Sequence, residues 1–300
     1  MSLPRFSVVL ATAAAAPVLL GAAPWFSSGP PAGYSSGPND FSNCTDCHVG
    51  TVNSGSGSLS LANAPDGWLP GATYALSLTL DDPAATRWGF ELSTQHPDGA
   101  QAGTLVVTDP VETQLLSFQG VQYLEHTAQG TAPGTTGGHT WSFEWTAPAA
   151  GAGKAVLYVS GNAANGNSNT LGDQIYTMAV PMPEGGGTLP EVAVAAIPET
   201  VFPRRGATWN VRVWLRNVSA ATQTPFVVSR IRLPNGSVFP SSGWLFGPTQ
   251  VTLSAGELQP LDVAHVVPPS APLVSATYEI LVGGPGNPMD STTFDFTVVP

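Results

Sequence analysis

A chain of 300 residues, 42% of them hydrophobic, is long and apolar enough to bury two cores of ordinary size. Only 10% of the residues are charged and the net charge is −11, which argues against an electrostatic grip on nucleic acid. With 33 Gly and 29 Pro in so apolar a sequence, the composition points to folded, turn-rich β structure rather than a disordered polymer.

The chain opens with MSLPRFSVVLATAAAAPVLLGAAP, one positive charge at Arg5 followed by an apolar run from Phe6 to Ala23. This pattern predicts a cleaved export signal over residues 1–23 and a mature chain with no membrane span, located in the periplasm, at the cell surface or outside the cell. Residues 24–58 are mostly Gly, Ser, Pro and Asn, which predicts irregular backbone, and they contain NCTDCHVG at residues 43–50.

Beyond that segment apolar residues alternate with polar ones. Tyr74, Leu76, Leu78 and Leu80 fall on one face of a strand, and the same period of two recurs at Phe90 and Leu92, at Trp141, Phe143 and Trp145, and at Val156 and Tyr158. Pro70-Gly71 and Asp98-Gly99 punctuate these runs as turns. The aromatic stripe from Trp141 to Trp145 is expected in the core, and Asp81-Asp82 at a solvated strand end. Residues 24–182 therefore predict one antiparallel β-sandwich behind its irregular leader.

A Pro/Gly-rich linker over 183–190 follows, with few side chains to weld the halves together. From 191 to 300, alternation at Trp209, Val211, Val213 and Leu215, a hairpin signal at Asn235-Gly236 and a closing strand at Phe294 and Phe296 predict a second sandwich. The expected fold is all-β, two immunoglobulin-like antiparallel sandwiches in tandem, preceded by a signal peptide and an irregular segment that carries CxxCH.

Both cysteines of the chain, Cys44 and Cys47, lie in that segment with His48 directly behind the second. Zinc asks for about four ligands, and no second CxxC or nearby His pair supplies them. A thioredoxin-type pair asks for a helix N-terminus in a βαβ setting that is not visible here. A short-loop disulfide fits an oxidising compartment but leaves His48 without a role. Covalent haem attachment accounts for all three residues: Cys44 and Cys47 form thioethers to the vinyl groups, and His48 is the proximal iron ligand. The expected cofactor is one haem c.

The segments CTDCHVG, LPGATYALSLTL, RWGFELST, YLEHTAQG, WSFEWTAPAAGAGKAVLYVSGNAANGN and GDQIY, in this order, resemble the bacterial choice-of-anchor V domain, which is itself similar to the Reeler domain, an immunoglobulin-like sandwich. The resemblance covers roughly residues 33–182 and implies a surface or secreted protein with a CxxCH element, held by varied C-terminal anchors. This chain ends in FTVVP, where no such anchor is visible. His126 ends the strand-like run VQYLEH and matches the family's YxxHT pattern, which makes it the candidate for the second axial ligand. A polar strand-end histidine bonded to a loop carbonyl is the plainer reading of the same residue. His139 is the runner-up, Met178 is a further candidate, His96 is expected in an exposed turn, and His265 lies in the other half.

The cluster GNAANGN with Asp173 offers oxygen atoms that suit calcium, and loop turns explain it equally well. Asn217-Val-Ser and Asn235-Gly-Ser match the glycosylation triplet. No GxSxG elbow, phosphate loop or dinucleotide fingerprint is present, so electron transfer or redox sensing is expected rather than catalysis, with an unidentified redox partner protein. The competing expectation is a non-redox adhesion or matrix module, in contact with cell-surface or matrix components, in which Cys44 and Cys47 close a structural disulfide.

Overall fold

The computed structural model describes residues 26–284 and 287–300, so the expected signal segment lies outside the described residues. Among the described residues the fold is all-β with antiparallel strand ladders, and two single-turn 3-10 helices lie at Cys44–Asp46 and Gln129–Thr131. In the first half, β1 (Ser58–Ala62), β2 (Thr73–Asp81), β3 (Arg87–Gln95), β4 (Thr104–Val107), β5 (Thr113–Phe118), β6 (Val121–His126), β7 (His139–Thr146), β8 (Ala155–Ala164) and β9 (Gln174–Met182) form two sheets. Their orders are β1-β2-β7-β4 and β5-β6-β3-β8-β9.

The alternation read from the sequence sets their inner faces. Leu76, Leu78 and Leu80 of β2 and Trp141, Phe143 and Trp145 of β7 are buried against Trp88, Phe90 and Leu92 of β3. Each such side chain contributes roughly 1.5–3 kcal/mol by leaving water. The rings of Phe90 and Trp141 lie 4.4 Å apart, so the aromatic stripe is core as expected. Thr79 and Thr140, on the opposite face, bond to each other at 2.8 Å across the ladder.

The outer face of the five-stranded sheet departs from the usual arrangement. Glu91, Ser93 and Gln95 of β3 and Ser160 of β8 alternate with the core residues, yet they are fully buried. The irregular segment 26–57 covers them and is joined to them by side-chain hydrogen bonds rather than by a strand ladder. Gly33 N donates to Glu91, Asn39 N to Gln95, Cys44 N to Ser160 and Gly57 N to the Tyr176 hydroxyl. Asp82 is not at a solvated strand end: it is buried and accepts from the Tyr176 hydroxyl at 2.5 Å.

The second half continues with β10 (Val192–Pro198), β11 (Thr208–Asn217), β12 (Phe226–Arg232), β13 (Val238–Phe239), β14 (Phe246–Gln250), β15 (Leu258–Val266), β16 (Ser275–Gly284) and β17 (Asn287–Thr297). The sheet β10-β11-β15 faces a sheet in which β13 and β14 both pair with β12, followed by β16 and β17. Val194, Trp209, Val211, Tyr278 and Ile280 belong to its core. Asn217 is buried and its amide donates to the carbonyls of Ala221, Leu253 and Ser254, so the glycosylation triplet there is structural.

The halves are joined by far more than their linker. Ala195, Ile197 and Trp214 of the second half share a buried cluster with Met182 and Trp68 of the first. Lys154 Nζ reaches across to Asp290, to Val194 O and to Ser291 O. In return, Arg216 donates to Ala64 O, Pro65 O and Asp66. The linker itself is held, because Trp68 N donates to Pro183 O and Gly185 N to Trp68 O. The weak coupling expected from linker composition gives way to a welded interface, built by two cations whose role is invisible from local pattern.

Candidate functional site

Cys44, Cys47, His48 and His126 line one cavity of about 650 Å³, a size within the range of bound organic cofactors. Phe26, Pro30, Pro31, Trp88 and Phe90 give it largely apolar walls. The irregular segment contributes one side, the β3 and β8 edges another, and the end of β6 a third.

Asn43 caps the 3-10 turn that presents the cysteines, its side chain accepting from Thr45 N. His48 N donates to Cys44 O at 3.0 Å, which closes the motif on itself. Cys44 is half-buried, its sulfur accepts from Ser160 Oγ at 3.0 Å, and burial pushes its thiol up to about 12, opposed in part by that hydroxyl. Cys47 is exposed; burial of its sulfur, then the charge of Asp46, raises its thiol as well. The two cysteines are free, not joined as the disulfide expected in the competing reading.

His48 is oriented from behind. Its Nδ1 lies 2.7 Å from Oδ2 of Asp173, while Asn162 Nδ2 stands 3.1 Å from its Nε2 and 3.2 Å from its Nδ1. The other oxygen of Asp173 accepts from Asn165 N, so the carboxylate is anchored to the loop between β8 and β9. In that loop Asn165, Asn167 and Asn169 each turn Oδ1 back to the amide two residues on. These oxygens serve turns, which is the plainer of the two readings made for the GNAANGN region. Among the described residues no group of three or more His, Cys, Asp or Glu is placed to hold a metal ion.

His126 occupies an unusual position. Glu91 pairs with Glu125 across β3 and β6, and the next ladder position, opposite Phe90, is filled by the imidazole instead of backbone. Its Nδ1 lies 3.0 Å from Phe90 N and 3.1 Å from Phe90 O. Burial lowers its pKa to about 4, against the opposing hydrogen bonds to the backbone of Phe90 and Phe26. The ring is therefore neutral; Phe90 N donates to Nδ1, which places the proton on Nε2, and ligation through Nε2 would need the other tautomer, with Nδ1–H donating to Phe90 O. Gly89 makes room for it: a Cβ at that position would meet Cε1 of His126 at 3.0 Å.

The other candidates are elsewhere. His139 Nε2 lies 3.3 Å from Glu112, Met178 is buried in the core, and His265 bonds the Tyr278 hydroxyl. His96 is not simply exposed, because its Nδ1 bonds Lys154 O at 2.9 Å. Sequence reasoning gave no positioning role to Asp173, Ser160, Asn162 or Gly89. The one available sign was the polar alternation of β3 and β8 opposite a buried face.

The donor set fits a covalently held haem: two thiols, a histidine whose far nitrogen is held by a carboxylate, a second neutral histidine, and apolar walls for a flat macrocycle. Among the described residues no helix is long and apolar enough to cross a membrane.

The sequence matches no protein-family model and no curated protein. Among solved structures the chain is similar to the human F-spondin reeler domain, at 26% identity over 45% of this chain and 95% of that one, with a TM-score of 0.32. A second structure, the Reelin-N domain of F-spondin, matches at 25% identity over 47% of this chain and 94% of that one, with a TM-score of 0.35. The CARDB domain of the PF1109 protein from Pyrococcus furiosus, solved with di-metal ions, matches at 16% identity over 38% of this chain and 95% of that one, with a TM-score of 0.29. Each of these similarities extends over less than half of this chain.

Proposed function

We propose that the chain is an exported, monohaem c-type protein that carries or senses electrons outside the cytoplasm, in the manner implied by the resemblance of residues 33–182 to choice-of-anchor V domains. The observation that supports this most is that the CxxCH motif and the distant His126 share one cavity wall system. Cys44 and Cys47 would hold the haem covalently, with His48 and His126 on the iron. Bound haem supplies one-electron chemistry at its iron. Asp173 keeps the proton of His48 on Nδ1 and so directs Nε2 forward, and Phe90 O would do the same for His126 once its ring proton moves from Nε2 to Nδ1 on ligation. Asn162 would release Nε2 of His48 on loading. The redox partner is an unidentified protein rather than nucleic acid.

The second reading is a non-redox adhesion or matrix module of the cell exterior. It is favoured by His48, whose two ring nitrogens both have protein partners without any cofactor. Haem staining and mass spectrometry of protein made in a host competent for cytochrome c maturation separate the two. One haem adduct that survives denaturation is the expected result. A Cys44–Cys47 disulfide with no adduct gives the second reading its place.

A further inference from the structure

We infer that Arg87 is the anion-recognition residue of the cavity, so that the molecule taken up there is an apolar, flat body bearing a carboxylate that meets this guanidinium. The inference rests on the haem reading and assigns to Arg87 the acidic side groups of the macrocycle.

Arg87 and Lys154 are the only Lys or Arg between residues 26 and 182. Lys154 is committed to Asp290 and to two carbonyls at the junction of the halves. Arg87, the first residue of β3, is half-buried and lines the cavity. Its Nε donates to Thr131 Oγ1 at 3.1 Å, which fixes the direction of the side chain. Among the described residues it has no carboxylate partner, whereas Lys154, Arg212, Arg216, Arg230 and Arg232 each have one. Arg204 and Arg205 of the second half also lack one, but neither lines this cavity, where Arg87 is the one Lys or Arg.

A guanidinium presents five N–H donors in a planar fork, and here one of them is used within the protein. The remaining fork suits two parallel hydrogen bonds to a carboxylate, stronger than neutral ones and tighter where apolar walls exclude water.

The test uses the full chain made without haem maturation and two fluorescent probes, zinc protoporphyrin IX and its dimethyl ester, titrated by porphyrin emission and by quenching of tryptophan. Wild type is expected to bind the free acid about tenfold more tightly than the ester, in line with one charge-assisted pair. Arg87→Gln should erase that preference while leaving the affinity for the ester unchanged, which also shows that the variant is folded; Arg87→Lys should restore part of it. Equal binding of both probes by wild type, or a loss in Arg87→Gln that falls equally on both, overturns the role of Arg87 and leaves the cavity as a porphyrin site. If wild type binds neither probe, the haem reading and this inference fall together.

Discussion

His48 Nδ1 lies 2.7 Å from Asp173 Oδ2, with the imidazole 26% exposed and the carboxylate 1% exposed. The carboxylate sits in the wall and the ring faces the cavity, which is the polarity needed to aim Nε2 outward. In Asp173→Asn, Oδ1 keeps the bond from Asn165 N, and an amide N–H is set against Nδ1 of His48. The ring must then carry its proton on Nε2, where a metal ligand needs a lone pair. The haem-loaded variant is expected to lose ligation by His48, read as a change of spin state in the absorption spectrum, and the haem-free chain to lose about 1–3 kcal/mol. An unaltered spectrum would remove Asp173 from the site.

His126→Ala should open the second axial position. The ferric protein is expected to pass from six-coordinate low spin to partly high spin and to bind cyanide or carbon monoxide faster, with thioethers and fold retained. Gly89→Ala tests the same ring from below, since the added carbon meets it at 3.0 Å. That variant should show a smaller shift of the same kind. A wild-type spectrum that is already five-coordinate assigns His126 to the edge of β3 alone.

How much of this was legible from residues alone differs from place to place. Strict alternation at Leu76, Leu78, Leu80 and at Trp141, Phe143, Trp145 marks strands because one buried face imposes a period of two on any sequence. Cys44, Cys47 and His48 could be read because their chemistry depends on spacing. The positions of Asp173 and Arg87 could not, because each acts through a partner far away in the chain. Glu91, Ser93 and Gln95 look like a solvent face, and only the irregular segment laid across them makes them interior.

Those buried carboxyls set a pH dependence. Burial raises Glu91 to about 8, with the charges of Asp40 and Glu125 adding to it, and burial raises Glu125 to about 8. One oxygen of each is buried without a hydrogen-bond partner. Both groups hold protons in the folded chain that the unfolded chain releases above about 4.5. Their contribution is fully present below that value and is lost as pH rises through 8, by a few kcal/mol in all. His126 has the opposite sign: its contribution is present above its ordinary value and is lost as pH falls through about 4. Urea midpoints of the haem-free chain should therefore fall from pH 5 to pH 9, and Glu91→Gln should flatten that slope. An unchanged slope in Glu91→Gln would show that the carboxyls ionise without strain.

The junction between the halves predicts a single unfolding event. Arg216 is 6% exposed and satisfies the carbonyls of Ala64 and Pro65, so Arg216→Ala should cost on the order of 3 kcal/mol. Lys154→Ala leaves Asp290 facing the same junction and should cost a similar amount. In calorimetry both variants should lower one shared transition. Two separate transitions in the wild-type chain would mean that the halves melt independently.

The roof over the five-stranded sheet also dictates an order of assembly. Residues 33 to 57 are tied down at scattered points, through side chains at Glu91, Gln95, Ser160 and Tyr176 and through backbone bonds from Val49 to Thr170 and Asn53 to Ile175, while the sheet beneath is closed by continuous ladders. A strap fastened at scattered points opens at lower free energy than the sheet it covers, so its amides should exchange with solvent ahead of those in β3 and β8. On the haem reading, Cys44 and Cys47 would then be presented to a loading enzyme before the strap closes, with the floor of the cavity already built. Fastening the strap afterwards would bring an attached group down onto His126, so the last step of folding would also be the step that closes the cavity around it.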